Sequence, residues 1–205
     1  MFYYSTERKS EPVRFREALL TGMPSDNGLY MPESIPIFPT EYFKKIRGMS
    51  LEQISFDILE AFIANDIPTN NLRDIVNSAI DFEAPLVSID EGLSIMELFH
   101  GPTLAFKDFG ARLMARLMAY YNKDEDSRLL ILVATSGDTG SAVASGFSGI
   151  DGIDVAILYP SGKVSDVQEK QLTTVGGNVT AFEVDGTFDD CQKLVKEAFL
   201  DKSLR

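Results

Sequence analysis

Two patterns of apolar and polar positions divide the chain near residue 85. Before that point apolar residues recur at helical spacing, and one such stripe runs from Leu51 to Ile63 behind Ser50, a residue type that caps helix starts. The Pro68-Thr69 pair ends this helix and starts another, whose apolar face is predicted to consist of Leu72, Ile75, Val76, Ala79 and Ile80. Beyond residue 85, short apolar runs alternate with helical stripes. We therefore predict a mainly helical region over residues 1–85 and an α/β region over residues 86–205.

The second region has the order of elements that a parallel sheet requires. Strands are predicted at 86–89, 94–99, 129–134, 155–159 and 179–184, and helices at 108–121, 140–147, 166–174 and 188–200. Residues 129–134 are continuously apolar, which is typical of a strand covered on both faces. The buried face of the first of these helices is expected to consist of Phe109, Leu113, Leu117 and Tyr120. Strands that alternate with helices over short connections predict right-handed crossovers and a parallel sheet.

Composition and charge exclude several functional classes. The chain has 19 Lys and Arg residues against 31 Asp and Glu residues, a net charge of −12, so we expect no general binding of nucleic acid or of an anionic membrane. Cys191 and His100 are each alone, which excludes disulfide frameworks and multi-cysteine or histidine-pair metal sites, and no metal is expected. No apolar run approaches the roughly 20 residues of a membrane-spanning helix. Residues 1–6 lack the layout of a secretory signal, so a cytoplasmic location is expected.

The loop after the predicted strand 129–134 is suited to an anion. Ligands of parallel sheets bind beyond the carboxyl ends of the strands, against helix N-termini. Here the loop reads Thr135-Ser136-Gly137-Asp138-Thr139-Gly140-Ser141, which combines hydroxyl donors with glycines that allow close backbone approach. The first N–H groups of the following helix add a positive end. The alternative is a capped connection in which Asp138 or Thr139 serves the helix itself, and the spacing leaves both interpretations open.

Lys107 is the second candidate for chemistry. It follows a Gly101-Pro102 turn at the start of a helix, and its neighbours Leu104, Ala105, Phe106 and Phe109 predict an apolar, buried setting. A helix N-terminus also repels cations. Both effects disfavour the ammonium and favour the neutral amine that a nucleophilic or Schiff-base lysine requires. The alternative is a solvated surface lysine, with His100 as a packed polar residue and Asp108 as a helix cap.

Several longer motifs connect these two candidates to a known family. They are Leu-Phe-His-Gly-Pro-Thr-Leu-Ala-Phe-Lys-Asp-Phe-Gly-Ala-Arg at 98–112, the loop at 134–140, and shorter matches at 28–32, 158–165 and 186–192. These motifs are spread from residue 28 to residue 192, so the resemblance extends over essentially the whole chain. The sequence resembles the bacterial and fungal branch of the threonine synthase family of pyridoxal-phosphate enzymes.

The resemblance implies a fold, a reaction and a set of site residues. The fold is the tryptophan-synthase-β-like (type II) fold of pyridoxal-phosphate enzymes, and the reaction converts O-phospho-L-homoserine and water to L-threonine and phosphate. Lys107 would form the Schiff base with pyridoxal 5'-phosphate, with Phe106 and Asp138 beside the cofactor. The loop 136–140 corresponds to the cradle for the substrate carboxylate. The residues expected to contact the substrate are Thr103, Ser136, Gly137, Asp138, Thr139, Gly140 and Lys163, of which Thr103 and Lys163 are candidates for its phosphate.

Two features separate this chain from the family pattern. Members of the family hold the cofactor phosphate and the pyridine nitrogen with residues from the later half of a chain about twice this length. The resemblance therefore implies an amino-terminal portion, expected to bind the cofactor weakly and to be inactive alone. In addition, Asp138 stands where lyases of this fold class generally have Asn, and an ionised Asp only accepts hydrogen bonds. If Asp138 faces the ring hydroxyl of the cofactor, one shared proton lies between them.

Two other functions compete with this assignment. One is another type II lyase, such as a threonine or serine dehydratase, which shares a lysine and a loop containing Ser-Gly. The run from Gly101 to Phe109, together with Asp138, favours the synthase. The other is a non-enzymatic phosphate-binding α/β domain, which leaves the apolar neighbours of Lys107 without a role.

Overall fold

The chain divides into two compact units, Met1–Asp81 and Phe82–Arg205. The structure, a computed structural model, describes residues 1–63, 66–125 and 127–201. In the described residues no helix is long and apolar enough to cross a membrane. Within the same ranges, no three His, Cys, Asp or Glu side chains are grouped in a way that could hold a metal ion.

The first unit combines a small antiparallel ribbon with helices. Its elements are β1 (Tyr3–Ser5), α1 (Phe15–Thr21), β2 (Tyr30–Pro32), α2 (Thr40–Lys45), a 3₁₀ turn (Ile46–Gly48), α3 (Leu51–Ile63) and α4 (Thr69–Ala79). Strands β1 and β2 pair antiparallel. The predicted cap of α3 is confirmed, because Ser50 Oγ accepts from Gln53 N at 3.3 Å while Gln53 Oε1 accepts from Ser50 N at 2.9 Å. The predicted apolar face of α4 is buried as well.

Asp26 ties the amino-terminal residues of this unit together. Its carboxylate accepts hydrogen bonds from Ser5 Oγ at 2.6 Å and from the backbone N–H groups of Lys9, Ser10 and Gly28 at 2.9 to 3.0 Å. Burial alone would raise the pKa of Asp26, but these hydrogen bonds hold it well below its usual range. The ionised carboxylate is thus part of the folded unit.

The second unit contains a parallel sheet and a separate hairpin. Its elements are β3 (Leu86–Asp90), β4 (Leu93–Met96), α5 (Lys107–Asn122), β5 (Leu129–Ala134), α6 (Asp138–Phe147), β6 (Ile153–Pro160), α7 (Asp166–Thr173), β7 (Val179–Val184) and α8 (Phe188–Leu200). The sheet has the order β5-β6-β7 and both pairings are parallel, which confirms the predicted α/β architecture. Strands β3 and β4 pair antiparallel as the hairpin, and β4 ends at Met96 rather than at the predicted Phe99.

Burial within the sheet differs from the prediction in one respect. The strand covered most completely is β6, where Ile153, Val155, Ile157 and Tyr159 are buried. The run at 129–134, predicted to be covered on both faces, is half-buried, and Leu130 is exposed. The reason is topological, since β5 lies at the edge of the described sheet while β6 has a partner strand on each side.

Helices α5 and α6 pack closely because small residues line their contact. A Cβ atom on Gly146 would lie 3.1 Å from the backbone carbon of Ala111, so the α6 backbone lies almost directly on α5 at this point. The prediction that Phe109, Leu113 and Tyr120 form the buried face of α5 is wrong: all three are half-buried. The fully buried apolar residues of α5 are Ala111, Ala115, Leu117 and Met118.

Candidate functional site

The candidate site begins at the carboxyl ends of the parallel strands. Strands β5, β6 and β7 end at Ala134, Pro160 and Val184, and parallel strands bring these ends to one edge of the sheet. Backbone hydrogen bonds continue just past the strands, from Thr135 N to Leu158 O at 2.9 Å and from Ser161 N to Val184 O at 2.8 Å. The loops that follow β5 and β6 therefore start side by side.

A buried hydroxyl shapes the loop after β5. The side chain of Thr135 is 1% exposed, and its Oγ1 accepts from Gly137 N at 3.0 Å and from Gly140 N at 2.8 Å while donating to Gly137 O at 3.1 Å. Ser141 is also buried, and its hydroxyl donates to Gly137 O at 3.2 Å. Two of the hydroxyls that the sequence suggested as ligand donors are therefore engaged inside the loop.

The groups left for a ligand lie at the start of α6. Ser136 and Thr139 are exposed, and the N–H groups of Asp138 and Thr139 belong to the first turn of the helix, where no intrahelical acceptor exists. Gly137 has φ +142°, a conformation that L side chains rarely adopt, and a Cβ on Gly140 would lie 2.5 Å from Thr135 Cγ2. These glycines are required by the turn and by its packing. The first N–H groups of α6 are of the kind that helix starts use to bind anions.

Gln168 is a contributor that the sequence reasoning missed. Its Nε2 donates to Asp138 Oδ1 at 2.7 Å, and its amide packs against Gly137 where a Cβ atom would otherwise lie. The same side chain completes the capping box of α7, with Oε1 accepting from Ser165 N at 3.2 Å. The Ser-x-x-Gln spacing at 165–168 was a readable signal for the cap. The contact with the loop depends on how α6 and α7 pack, which the spacing does not encode.

Lys163 lies in the loop after β6, between the end of the strand and the capped start of α7. Its backbone N–H donates to Pro160 O at 3.2 Å across a turn in which Gly162 has φ +62°. The residue is exposed. The cation is therefore on the same edge of the sheet as the 136–140 loop, with its side chain in solvent.

The segment from Gly101 to Asp108 forms a tight turn before α5. Leu104 has φ +60°, its N–H donates to Gly101 O at 3.1 Å, and Asp108 N donates to Ala105 O at 3.0 Å. The Asp108 carboxylate is fully buried and accepts from Thr103 N at 2.9 Å and from Thr103 Oγ1 at 2.6 Å. Asp108 therefore holds the turn from inside. The hydroxyl proton of Thr103 is directed to Asp108, so any further contact of Thr103 Oγ1 uses the oxygen as an acceptor.

The setting of Lys107 differs from the sequence-based expectation. Lys107 is half-buried, and its Nζ lies 4.5 Å from the centre of the Phe106 ring. The prediction that its apolar neighbours are buried is wrong for two of them, because Leu104 is 71% and Phe106 60% exposed. The turn with positive φ at Leu104 directs these side chains away from the core of the second unit. A cation–π contact with an exposed ring replaces the apolar enclosure.

His100 lies at the beginning of the turn. Its Nε2 is 2.8 Å from Glu97 Oε2, and its ring stacks on Phe99 with the ring centres 4.8 Å apart. Both His100 and Phe99 are exposed. The imidazole thus has a carboxylate partner and an aromatic partner.

Hydrogen bonds connect some of the predicted site residues but not others. The loop 136–140 is fastened to the loop after β6 through Gln168, whereas Lys107 and residues 136–140 share no hydrogen bond or ion pair in the described ranges. Lys107 and Thr103 belong to one turn, and α5 packs on α6. The two segments therefore lie on adjacent, closely packed helices, one at the start of each.

Two family models match the chain. The first, described as threonine synthase N terminus, matches residues 2–80, and the second, described as pyridoxal-phosphate dependent enzyme, matches residues 84–203. The second match alone covers more than half of the chain.

Relatives of known identity match over almost the whole chain. The threonine synthase of Buchnera aphidicola subsp. Baizongia pistaciae is 44% identical over 206 residues, a match that covers 100% of this chain and 48% of the relative. The crystal structure of threonine synthase from Escherichia coli is similar with a TM-score of 0.90 at 42% identity, covering 100% of this chain and 47% of that one. The pyridoxal-phosphate-bound threonine synthase from Brucella melitensis has a TM-score of 0.92 at 41% identity, covering 99% and 45%. The chain spans about half the length of the relatives it matches.

Proposed function

Because the chain belongs to the pyridoxal-phosphate-dependent enzyme family, we propose that the protein acts as a threonine synthase, converting O-phospho-L-homoserine and water to L-threonine and phosphate in the cytoplasm. The observation that carries the proposal is the match of the whole chain to threonine synthases in sequence and in structure, including an amino-terminal model specific to them. Within the matched residues, the turn 101–108, which carries Lys107 and which we call the lysine turn, leads into α5. The loop 135–140 leads into the adjacent helix α6.

The residues present fit the aldehyde and the ring of the cofactor. Lys107 offers a primary amine that is half-buried and reachable, beside the exposed Phe106 ring, which is a flat apolar surface for a heteroaromatic ring. Pyridoxal phosphate, when bound, supplies an electron sink for negative charge at the α and β carbons of the substrate. Lys107 would hold the aldehyde carbon of this group, and Phe106 would line the ring.

Lys107 has a second task in the proposed reaction. Its amine would take a proton from the α carbon of the substrate and move protons at the β carbon. A base must reach both carbons, and the four-carbon stem of a lysine gives that reach. The Lys107 amine contacts the Phe106 ring. Among the described residues it forms no ion pair with a carboxylate that would restrict its movement.

The loop 136–140 would bind the substrate carboxylate. The N–H groups of Asp138 and Thr139 point out of the first turn of α6, and the hydroxyls of Ser136 and Thr139 are exposed beside them. The helix macrodipole adds about 0.3–1 kcal/mol for a carboxylate at this position. Gly137 and Gly140 contribute by letting the backbone turn tightly around the Thr135 hydroxyl.

The remaining proposed contacts concern Asp138, Lys163 and Thr103. Gln168 engages Asp138 Oδ1, which leaves the other carboxylate oxygen to share a proton with the ring hydroxyl of the cofactor. Lys163 is the better candidate for the substrate phosphate because its ammonium donates, whereas the Thr103 hydroxyl already donates to Asp108. Thr103 therefore belongs to the site through the turn that it stabilises.

The proposal is tested in the complete polypeptide that carries residues 1–205, purified with pyridoxal phosphate. We expect release of phosphate and formation of threonine from O-phospho-L-homoserine, and a borohydride-trapped pyridoxyl adduct on Lys107 by mass spectrometry. Lys107→Ala should abolish both. The matched control is Lys123→Ala, because Lys123 also lies over an aromatic ring on α5, 4.9 Å from the centre of Tyr120, and should change neither. Asp138→Asn should shift the pH dependence of the cofactor absorption band.

Two results would overturn the proposal. An adduct on another lysine would remove the role of Lys107, and release of ammonia from threonine without phosphate release from phosphohomoserine would indicate a dehydratase. Residues 1–205 alone are expected to bind the cofactor weakly and to show no turnover, because the family resemblance implies that the cofactor phosphate and pyridine nitrogen are held by residues of the later half of a longer chain. The exposed Leu104 and Phe106 also give the amine only partial apolar cover. Tight, trappable binding to this segment would contradict that expectation.

A further inference from the structure

The Asp108 carboxylate is buried at the start of α5, one residue after Lys107. It is 0% exposed, and its recorded donors are the N–H and the hydroxyl of Thr103, at 2.9 and 2.6 Å. Burying a carboxylate is costly unless it is hydrogen-bonded. Here two donors and the positive end of the helix compensate for the loss of water.

The turn before α5 is built around this carboxylate. A Cβ atom on Gly101 would lie 2.5 Å from Asp108 Oδ2 and 2.8 Å from Asp108 Cβ, so the Gly101 backbone packs directly on the side chain. Thr103 bonds to it twice, and Leu104 adopts φ +60° to close the turn back on Gly101 O. One side chain therefore fixes the path of residues 101–104.

This arrangement fixes the backbone position of Lys107 but restricts the conformation of its side chain much less. The Lys107 amine has one recorded contact, with the exposed Phe106 ring, and its stem has several rotatable bonds. The fold therefore directs the amine through the place and direction in which α5 begins. On the basis of the proposed function, we propose that Asp108 is a positioning residue, which through Thr103 and Gly101 fixes the start of α5 and thereby presents the Lys107 amine to the reacting carbons.

Asp108 does not act as a base in this scheme. Both of its oxygens accept hydrogen bonds from Thr103, and the side chain is closed off from solvent. A substrate proton has no path to it in this conformation. What it contributes is geometry, and displacing a reacting group by about 1 Å costs on the order of 100-fold in rate.

The test compares Asp108→Ala, Asp108→Asn and Thr103→Val in the complete polypeptide that carries residues 1–205. Asn keeps an acceptor for Thr103 N–H and can donate to Thr103 Oγ1, whose proton then turns away, so it preserves the shape of the turn without the charge. Thr103→Val removes one of the two bonds and keeps the backbone bond. Asp74→Asn, an exposed carboxylate on α4 that among the described residues contacts neither lysine of the labelling ratio, is the control. Each variant is measured for Tm and for kcat and KM. After removal of pyridoxal phosphate, each is also measured for the ratio of Lys107 to Lys123 modified by an amine-reactive ester.

We expect Asp108→Ala and Thr103→Val to lower kcat by about 10- to 100-fold with little change in KM, and to change the Lys107:Lys123 labelling ratio well below Tm. Asp108→Asn should retain most of the wild-type kcat and a labelling ratio close to that of the wild type. Variants that lose only Tm would overturn the proposal, and so would an Asn variant as impaired as the Ala variant, since charge would then be the required property. If Asp108→Ala fails to fold, Asp108→Asn and Thr103→Val decide. The labelling ratio does not depend on the reaction, so it still tests positioning if the proposed activity fails.

Discussion

The two segments of the candidate site are held by the same device but differ in their surroundings. In the loop 135–140 the buried Thr135 hydroxyl accepts from the backbone N–H groups of Gly137 and Gly140. In the turn 101–108 the buried Asp108 carboxylate accepts from the N–H and the hydroxyl of Thr103. The loop lies between a strand and the buried helix α6, and its glycines pack on neighbouring side chains. The lysine turn instead exposes Leu104 and Phe106.

This difference shows which part of the chemistry the described residues complete. The loop 135–140 is held by groups of the second unit, because Thr135 directly follows β5, Ser141 lies on α6 and Gln168 lies on α7. An amine that reacts in its neutral form needs apolar cover. The second unit covers Lys107 only in part. Under the proposed function, we expect the bound cofactor or further polypeptide to complete its surroundings.

The largest expected effect comes from comparing the loss of unfolding free energy when a buried and an exposed phenylalanine are each replaced by alanine. Phe147 on α6 is 0% exposed, and Phe106 in the lysine turn is 60% exposed. Phe147→Ala should lower the free energy of unfolding of the 205-residue chain by about 3–5 kcal/mol, because it leaves a cavity. Phe106→Ala, the matched variant, should lower it by at most about 0.5 kcal/mol, as for other surface changes. Urea unfolding followed by circular dichroism measures both.

Equal losses in the two variants would break the comparison. They would mean that Phe106 is covered in solution, which self-association of an exposed apolar patch could produce. In that case the apparent stability of the wild-type chain would rise with protein concentration, and repeating the measurement over a range of concentrations would reveal it.

A smaller loss is expected from removing the buried hydroxyl of the loop. Thr135→Val keeps the shape of the side chain but leaves the N–H groups of Gly137 and Gly140 without their acceptor. Each unsatisfied buried group costs about 1–3 kcal/mol, so the two N–H groups together should lower the free energy of unfolding by at least about 2 kcal/mol. Thr139→Val, in the first turn of α6 and exposed, is the control and should change little. A Thr135→Val chain as stable as the wild type would show that water reaches the loop.

Much of this fold follows from the sequence pattern, because its elements have strong local signals. Strands 129–134 and 179–184 and the helix 188–200 begin and end where the apolar periodicity predicts. Helix α6 starts at Asp138, two residues before the predicted Gly140, since the tight turn at Gly137 lets the helix begin earlier. The relative burial of β5 and β6 could not be predicted, because it depends on which strand is central in the sheet.

The site was less accessible to sequence reasoning than the fold. The chemical character of Lys107 and of the 136–140 loop is visible in local composition, and their placement at helix starts followed from it. The exposure of Leu104 and Phe106 was not visible, because it depends on the path of the turn before α5, in which Leu104 has positive φ. The contact of Gln168 with Asp138 spans 30 residues and depends on the packing of two helices.

The smallest expected effect concerns the hydrogen bond from Gln168 to Asp138, which connects the loop 135–140 to α7. The lysine turn has no corresponding hydrogen bond to another helix among the described residues. Gln168→Glu keeps the capping box with Ser165, since Ser-x-x-Glu is a standard box, but it replaces the donor to Asp138 by a second carboxylate. At pH 7 we expect a loss of about 0.5–1 kcal/mol in unfolding free energy. Repulsion favours the protonated form in the folded state, so this loss should shrink as pH falls towards about 4, where one carboxyl takes a proton and can donate to the other. Gln168→Leu, which loses the cap as well, should be less stable at pH 7 and should show no such recovery. If the Glu variant showed the same deficit at both pH values, the link between loop and helix would not depend on the Asp138 hydrogen bond, and the loop would be held by Thr135 alone.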